Sequence, residues 1–165
     1  MSLRFLALLG TLLGCVSCGD GDTVLAGRVH VPNIPREALL GLWAPESRLP
    51  TLLYSLFGAR RSMGPETLAV HAGGACELSR ALAQRLIDCE HAYTVEAEAQ
   101  ATCAWRVEGS SDGESLHVLF RDADKRSRVA SFAAYRHQAS GDIALVWTCA
   151  GGDACGLFHQ GALVP

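Results

Sequence analysis

Cys76 and His117 are the residue types from which a nucleophilic site could be built. Cys76 follows Gly73-Gly74 and is expected to open a helix, where the positive end of the helix would favour a thiolate. His117, forty-one positions later, is expected on a strand and could take the thiol proton. Glu77 beside the thiol opposes that charge. The remaining histidines, His30, His71, His91, His137 and His159, form no His-x-x-x-His or His-Glu-x-x-His pair, so single hydrogen-bonded rings are expected. Glu96 and Glu98 would share one strand face, where solvated carboxylates are the simpler reading than an acid–base pair. Asp112, Asp122 and Asp124 read as turn formers, and no loop has EF-hand spacing. Arg121, Lys125, Arg126 and Arg128 surround one expected hairpin tip, partly cancelled by Asp122 and Asp124. Such a tip could touch lipid phosphates or an acidic glycan.

The cysteines admit a second chemistry. Seven in 165 residues is a high count. Setting Cys15 aside leaves Cys18, Cys76, Cys89, Cys103, Cys149 and Cys155, an even set that in an exported chain reads as disulfides. Cys76 and Cys89 would flank one helix, ~20 Å apart, and should not pair. Cys149 with Cys155 closes the Gly-rich stretch Ala150-Gly151-Gly152-Asp153-Ala154 and is the favoured pair. Cys89 with Cys103 suits a helix turning back into a strand. After processing no paired C-x-x-C remains, so neither a zinc site nor another metal or cofactor is expected.

Two resemblances bear on these residues. The Cys76 helix and the His117 strand resemble the layout of a class of cell-wall cysteine peptidases. In that class Asp-Cys-Ser-Gly surrounds the nucleophile; here Ala75-Cys76-Glu77-Leu78 stands in its place. The N-terminus resembles a bacterial lipoprotein signal. Arg4 precedes an apolar run, Phe5 to Gly14, whose helix would be ~15 Å long, about half a bilayer core. The run ends in Leu12-Leu13-Gly14-Cys15, which is similar to a lipobox. The resemblance implies cleavage before Cys15 and a diacylglyceryl thioether on its sulfur. With two or three acyl chains the anchor is stable. Val16 after the lipidated cysteine implies transfer to the outer membrane in a Gram-negative cell.

Elements must hold all of this in place. The expected organisation is a signal peptide over 1–14, a lipidated tether over 15–22 and one domain over 23–165. With 49% hydrophobic and 19% charged residues the chain can bury a core and is not disordered. A net charge of −3 argues against a nucleic-acid partner. A first strand is expected over Thr23 to Val31, stopped by Pro32 and Pro35. Leu49, Leu52, Leu53, Leu56 and Phe57 have helical spacing and predict a helix over about 49–58. Thr67 to Ala72 suits a short strand. Leu78, Leu82, Leu86 and Cys89 predict a second helix over about 75–89.

From Tyr93 to Val107 apolar and polar residues alternate strictly, so a strand is expected despite the Ala and Glu content. Ser115 to Arg121, Arg128 to Gln138 and Ile143 to Cys149 follow as further strands joined by short polar turns. The expected fold is therefore α+β: a four-stranded antiparallel meander over about 93–149 packed with two helices. Trp105 and Trp147 share the inward phase, either as core or as walls of an apolar pocket. Gly41-Leu42-Trp43 resembles the Gly-x-Trp opening of lipocalin-like proteins. The helices expected after it break that pattern, and nothing is carried over.

The expected function is a membrane-anchored, periplasm-facing lipoprotein with a non-enzymatic binding or envelope-structural body. Its partners would be the membrane, through lipid on Cys15, and an envelope protein or glycan. The alternatives are a hydrolase using Cys76 and His117, and a carrier of a small apolar ligand.

Overall fold

Strands dominate the chain because antiparallel pairing extends through far more of it than one meander. The computed structural model describes residues 18–19, 24–45, 65–96 and 102–163. The strands are β1 (Cys18–Gly19), β2 (Arg28–His30), β3 (Gly41–Ala44), β4 (Leu68–Val70), β5 (Cys76–Leu78) and β6 (Tyr93–Thr94). They continue with β7 (Cys103–Ser110), β8 (Gly113–Arg121), β9 (Ser127–His137), β10 (Ile143–Thr148) and β11 (Ala154–Gly161). Among the described residues, the helices α1 (Arg36–Leu39) and α2 (Arg80–Asp88) accompany them.

The hydrogen-bonded order is β5-β4-β3-β11-β10-β9-β8-β7, all antiparallel. Around this ring each strand lies beside its neighbours in sequence, and β11 returns to β3. That is an up-and-down arrangement. The ring stops one contact short of full closure. At the seam between β5 and β7 the backbones meet at one isolated bridge, Ala75 with Ala104. One residue along, a disulfide joins Cys76 to Cys103, with Cα atoms 5.1 Å apart.

The α+β expectation is thus overturned: four strands become a barrel-like ring of eight. Two features account for the difference. The helix expected over 75–89 begins as a strand, because Cys76 and Leu78 turn inward, Glu77 turns out, and all three pair with β4. Helix starts only after Ser79, whose side chain accepts the Leu82 N–H at 3.3 Å and so caps α2. The last strand, β11, follows a glycine-rich hairpin that reads as a terminal loop. Yet Cys155 and Leu157 are wholly buried on its inner side. The single strand expected from Tyr93 to Val107 is divided between β6 and β7. The helix expected over 49–58 lies outside the described residues, as does Cys15.

The interior is filled by side chains from every strand of the ring. Trp43, Leu68, Leu116, Phe132, Leu145 and Leu157 are fully buried in it. The Phe132 and Trp147 rings meet edge to face with centroids 5.6 Å apart. Each end of the ring is plugged. At the end carrying the 122–126 and 149–153 loops, α2 lays Leu82 and Leu86 into the core. At the opposite end Ile34 and Leu39 close the opening. There Glu114 accepts the Ile34 N–H at 2.6 Å and donates its own N–H to the Pro32 carbonyl.

Gly41 opens β3 at that end with φ of 138°. A Cβ there would collide with the His159 ring and lie 2.6 Å from the Gly161 carbonyl oxygen. Only glycine permits this approach.

The N-terminal part straps the outside of the ring. β1 pairs Cys18 with Cys155 and Gly19 with Ala154. Val24 and Leu25 then pack over Ala144, Val146, Ala154 and Phe158, a small cluster on the outer face. Arg28 holds that cover in place: its Nε donates to the Val24 carbonyl and its guanidinium lies 4.9 Å from the Phe158 ring centroid.

Candidate functional site

The ring gathers sulfur at two places. The first is the seam, where Cys76 and Cys103 are joined. Cys76 therefore sits on β5, not at a helix N-terminus, and its sulfur is committed to a bond. The second place is the end plugged by α2. Cys149 leaves β10 as the hairpin begins, and its Sγ stands 3.6 Å from Cys155 Sγ on β11. Cys155 is itself disulfide-bonded, whereas Cys149 and Cys89 are free thiols. The pairs expected from spacing, 149 with 155 and 89 with 103, are therefore not the bonds formed. Spacing failed here because the seam brings together two cysteines placed apart by the mistaken helix.

The free thiols face one another. Cys89 is the C-cap of α2; its Sγ donates to the Leu86 carbonyl at 3.9 Å and its thiol lies beside that of Cys149. Ala150 N–H donates to the Cys89 carbonyl at 3.1 Å, tying the hairpin to the helix end. Burial and the neighbouring Cys89 thiol push the Cys149 thiol up to about 12. Arg85 on α2 opposes that rise and Asp153 in the hairpin adds to it. His91 stands beside them, its ring nitrogens facing the Thr148 and Ser131 carbonyl oxygens.

His117 lies elsewhere, on the outer face of β8. Across the neighbouring strands it is flanked by Arg106 and Ser131. Its Nδ1 is 3.4 Å from Ser131 Oγ and 3.3 Å from Glu108 Oε2. Serine, imidazole and carboxylate are thus together, but both oxygens approach the same ring nitrogen. A relay needs the acid on one nitrogen and the hydroxyl on the other. Cys76, by contrast, points to the inner side of β5. The structure does not assemble the two residues expected for peptidase chemistry.

The tryptophans divide. Trp147 is core, 2% exposed, and its indole N–H has no hydrogen-bond partner. Trp105 is half-buried and donates to the His71 carbonyl at 2.8 Å. It borders a half-open groove of about 360 Å³ with Arg36, Leu40 and Val107. A larger half-open groove of about 620 Å³ runs between α2 and the seam, walled by Arg80, Gln84, Thr102, Phe120 and Asp122 among others. Asp122 is an anchor of the adjacent loop: it accepts from Arg128 Nε and from the Arg126 N–H, both at 2.9 Å. Those contacts were invisible in a sequence where Asp122 reads as a turn former. Lys125, in the same turn, takes φ of 63°.

No family model, curated protein or solved structure matches the chain.

Proposed function

We propose that this chain is a membrane-anchored, periplasm-facing lipoprotein whose barrel-like body is a non-enzymatic binding or envelope-structural module. The observation that supports this reading is the disulfide at the seam. Cys76 and Cys103 join strands whose backbones otherwise meet at one bridge. A bond on which the ring depends suits a compartment where disulfides persist. Residues 1–14 supply the export signal for such a compartment, and Leu12-Leu13-Gly14-Cys15 supplies the anchor. The filled interior favours recognition on the outer surface over carriage inside. The groove beside α2, with Arg80 and Gln84 on its wall, offers polar contacts to a glycan or peptide of the envelope.

Intact-mass analysis of the membrane-extracted protein tests the reading, with detergent phase partition as its companion. The expected result is a chain beginning at Cys15, heavier by its acyl groups and partitioning with detergent. The Cys15→Ala variant should keep its N-terminus and lack the acyl mass. A native chain that retains Met1, carries no adduct and stays aqueous overturns the proposal.

A further inference from the structure

Three sulfurs at the α2 end have an arrangement that neither anchoring nor the barrel requires. Cys149 Sγ lies in van der Waals contact with Cys155 Sγ, at 3.6 Å. Cys155 is one half of a disulfide, and the residue across from it in β1 is Cys18. Beside Cys149 stands a second free thiol, Cys89, close enough to act on its charge. A structural cysteine has no need to lie against a disulfide with a further thiol at its back. Yet attacking thiol, disulfide and resolving thiol in series is the layout of exchange chemistry. We propose that Cys89, Cys149 and Cys155 form an internal thiol–disulfide exchange site whose substrate is the chain's own disulfide at Cys155.

The step balances without an outside oxidant. Cys149 loses its proton to solvent, and the thiolate attacks Cys155 Sγ. A Cys149–Cys155 bond forms as the bond from Cys155 to its present partner breaks, and the partner leaves as a thiolate that takes up a proton. Cys89 then attacks Cys149 in the same way, giving Cys89–Cys149 and returning Cys155 as a thiol. One dithiol is oxidised and one disulfide reduced; the number of free thiols stays constant. The outcome is a bond moved from the strand edge to the junction of α2 with the hairpin.

The groups around Cys149 set the rate. The Cys89 thiol and Asp153 disfavour its thiolate, Arg85 favours it, burial outweighs Arg85, and His91 flanks the site through backbone carbonyls. Exchange is therefore slow at neutral pH and quickens about tenfold per pH unit while thiol remains the dominant form.

The test uses the full chain, freed of oxygen and redox buffer, held between pH 7 and 10, quenched in acid, digested without reduction and mapped by mass spectrometry. The expected result is a time-dependent loss of the original Cys155-linked peptide pair. Cys149–Cys155 and Cys89–Cys149 pairs appear with the stated pH dependence, while Cys76–Cys103 persists and the thiol count is unchanged. In Cys89→Ser the change stops at Cys149–Cys155; in Cys149→Ser it does not occur. An unaltered map in the native chain after prolonged incubation at pH 10 overturns the proposal. So does the same loss, at the same rate, in Cys149→Ser.

Discussion

The two core tryptophans differ in one hydrogen bond, and that difference is measurable. Trp43 is wholly buried and its Nε1 donates to the Leu39 carbonyl at 2.8 Å. Trp147 is almost as buried, with an unpartnered N–H. Replacing either by phenylalanine removes similar volume, but only Trp43→Phe leaves a buried carbonyl without its donor. Trp43→Phe should cost about 1–3 kcal/mol more than Trp147→Phe in urea unfolding. Equal costs would mean the Leu39 contact contributes nothing. Asp122 gives a pH signature at the same scale. Burial acts to raise its carboxyl, but the Arg128 side chain, the Arg126 N–H and the Arg128 charge together hold it below the ordinary 3.8. A depressed folded value stabilises above the unfolded pKa and is lost as pH falls through the folded one. Asp122→Asn should therefore destabilise by a constant amount above about pH 5, and the difference should shrink on acidification below about pH 4. Urea midpoints of both proteins across that range decide it; a gap that widens in acid contradicts the Arg128 account.

At the scale of elements, α2 shows what the sequence disclosed and what it hid. Its apolar face was legible: Leu82 and Leu86 are buried as their spacing predicts. Its start was not, because Leu78 continues the helical spacing while belonging to β5. Ser79 was the available signal, an N-cap residue just ahead of the helix. The far end carries an unused preference. Glu90 takes φ of 58° as the chain leaves the helix. Glu90 N–H donates to Ile87 and His91 N–H to Leu86, the paired bonds of a Schellman ending. Glycine adopts that conformation without strain, so Glu90→Gly should stabilise the fold by about 0.5–1 kcal/mol. Thermal unfolding of the variant checks this, and a lowered midpoint would assign Glu90 a role its backbone does not reveal. The strands β8, β9 and β10 were readable within a residue or two, since each is a short run rich in apolar residues bounded by polar turns. β11 was not, because its glycines thin out the alternation that Cys155 and Leu157 carry.

For the whole molecule, ring closure was beyond the sequence because it depends on pairings between distant segments. β3 meets β11 more than a hundred residues later, and the β5–β7 seam depends on a disulfide that no spacing rule selected. The cysteine count predicted that disulfides exist; the topology chose which. Cys76 and Cys103 are separated by 27 positions. Closing a loop of that size in the unfolded chain removes entropy worth roughly 3–4 kcal/mol, so the double variant Cys76→Ala, Cys103→Ala should lose about that much stability. Chemical denaturation of the oxidised and double-variant proteins measures it. A loss below about 1 kcal/mol would show that the hydrogen-bonded strands hold the seam unaided.

The strap formed by β1 also sets a posture. Cys18 lies against the start of β11, at the end where α2 and the 122–126 and 149–153 loops gather. Only Val16 and Ser17 separate it from Cys15, three chain steps with a reach of ~10 Å at full extension. If Cys15 carries the proposed lipid anchor, a barrel leashed so closely at that rim would stand upright on the bilayer. Its Arg126 loop would be held near the headgroups, and the pole sealed by Ile34 and Leu39 turned toward whatever crosses the periplasm.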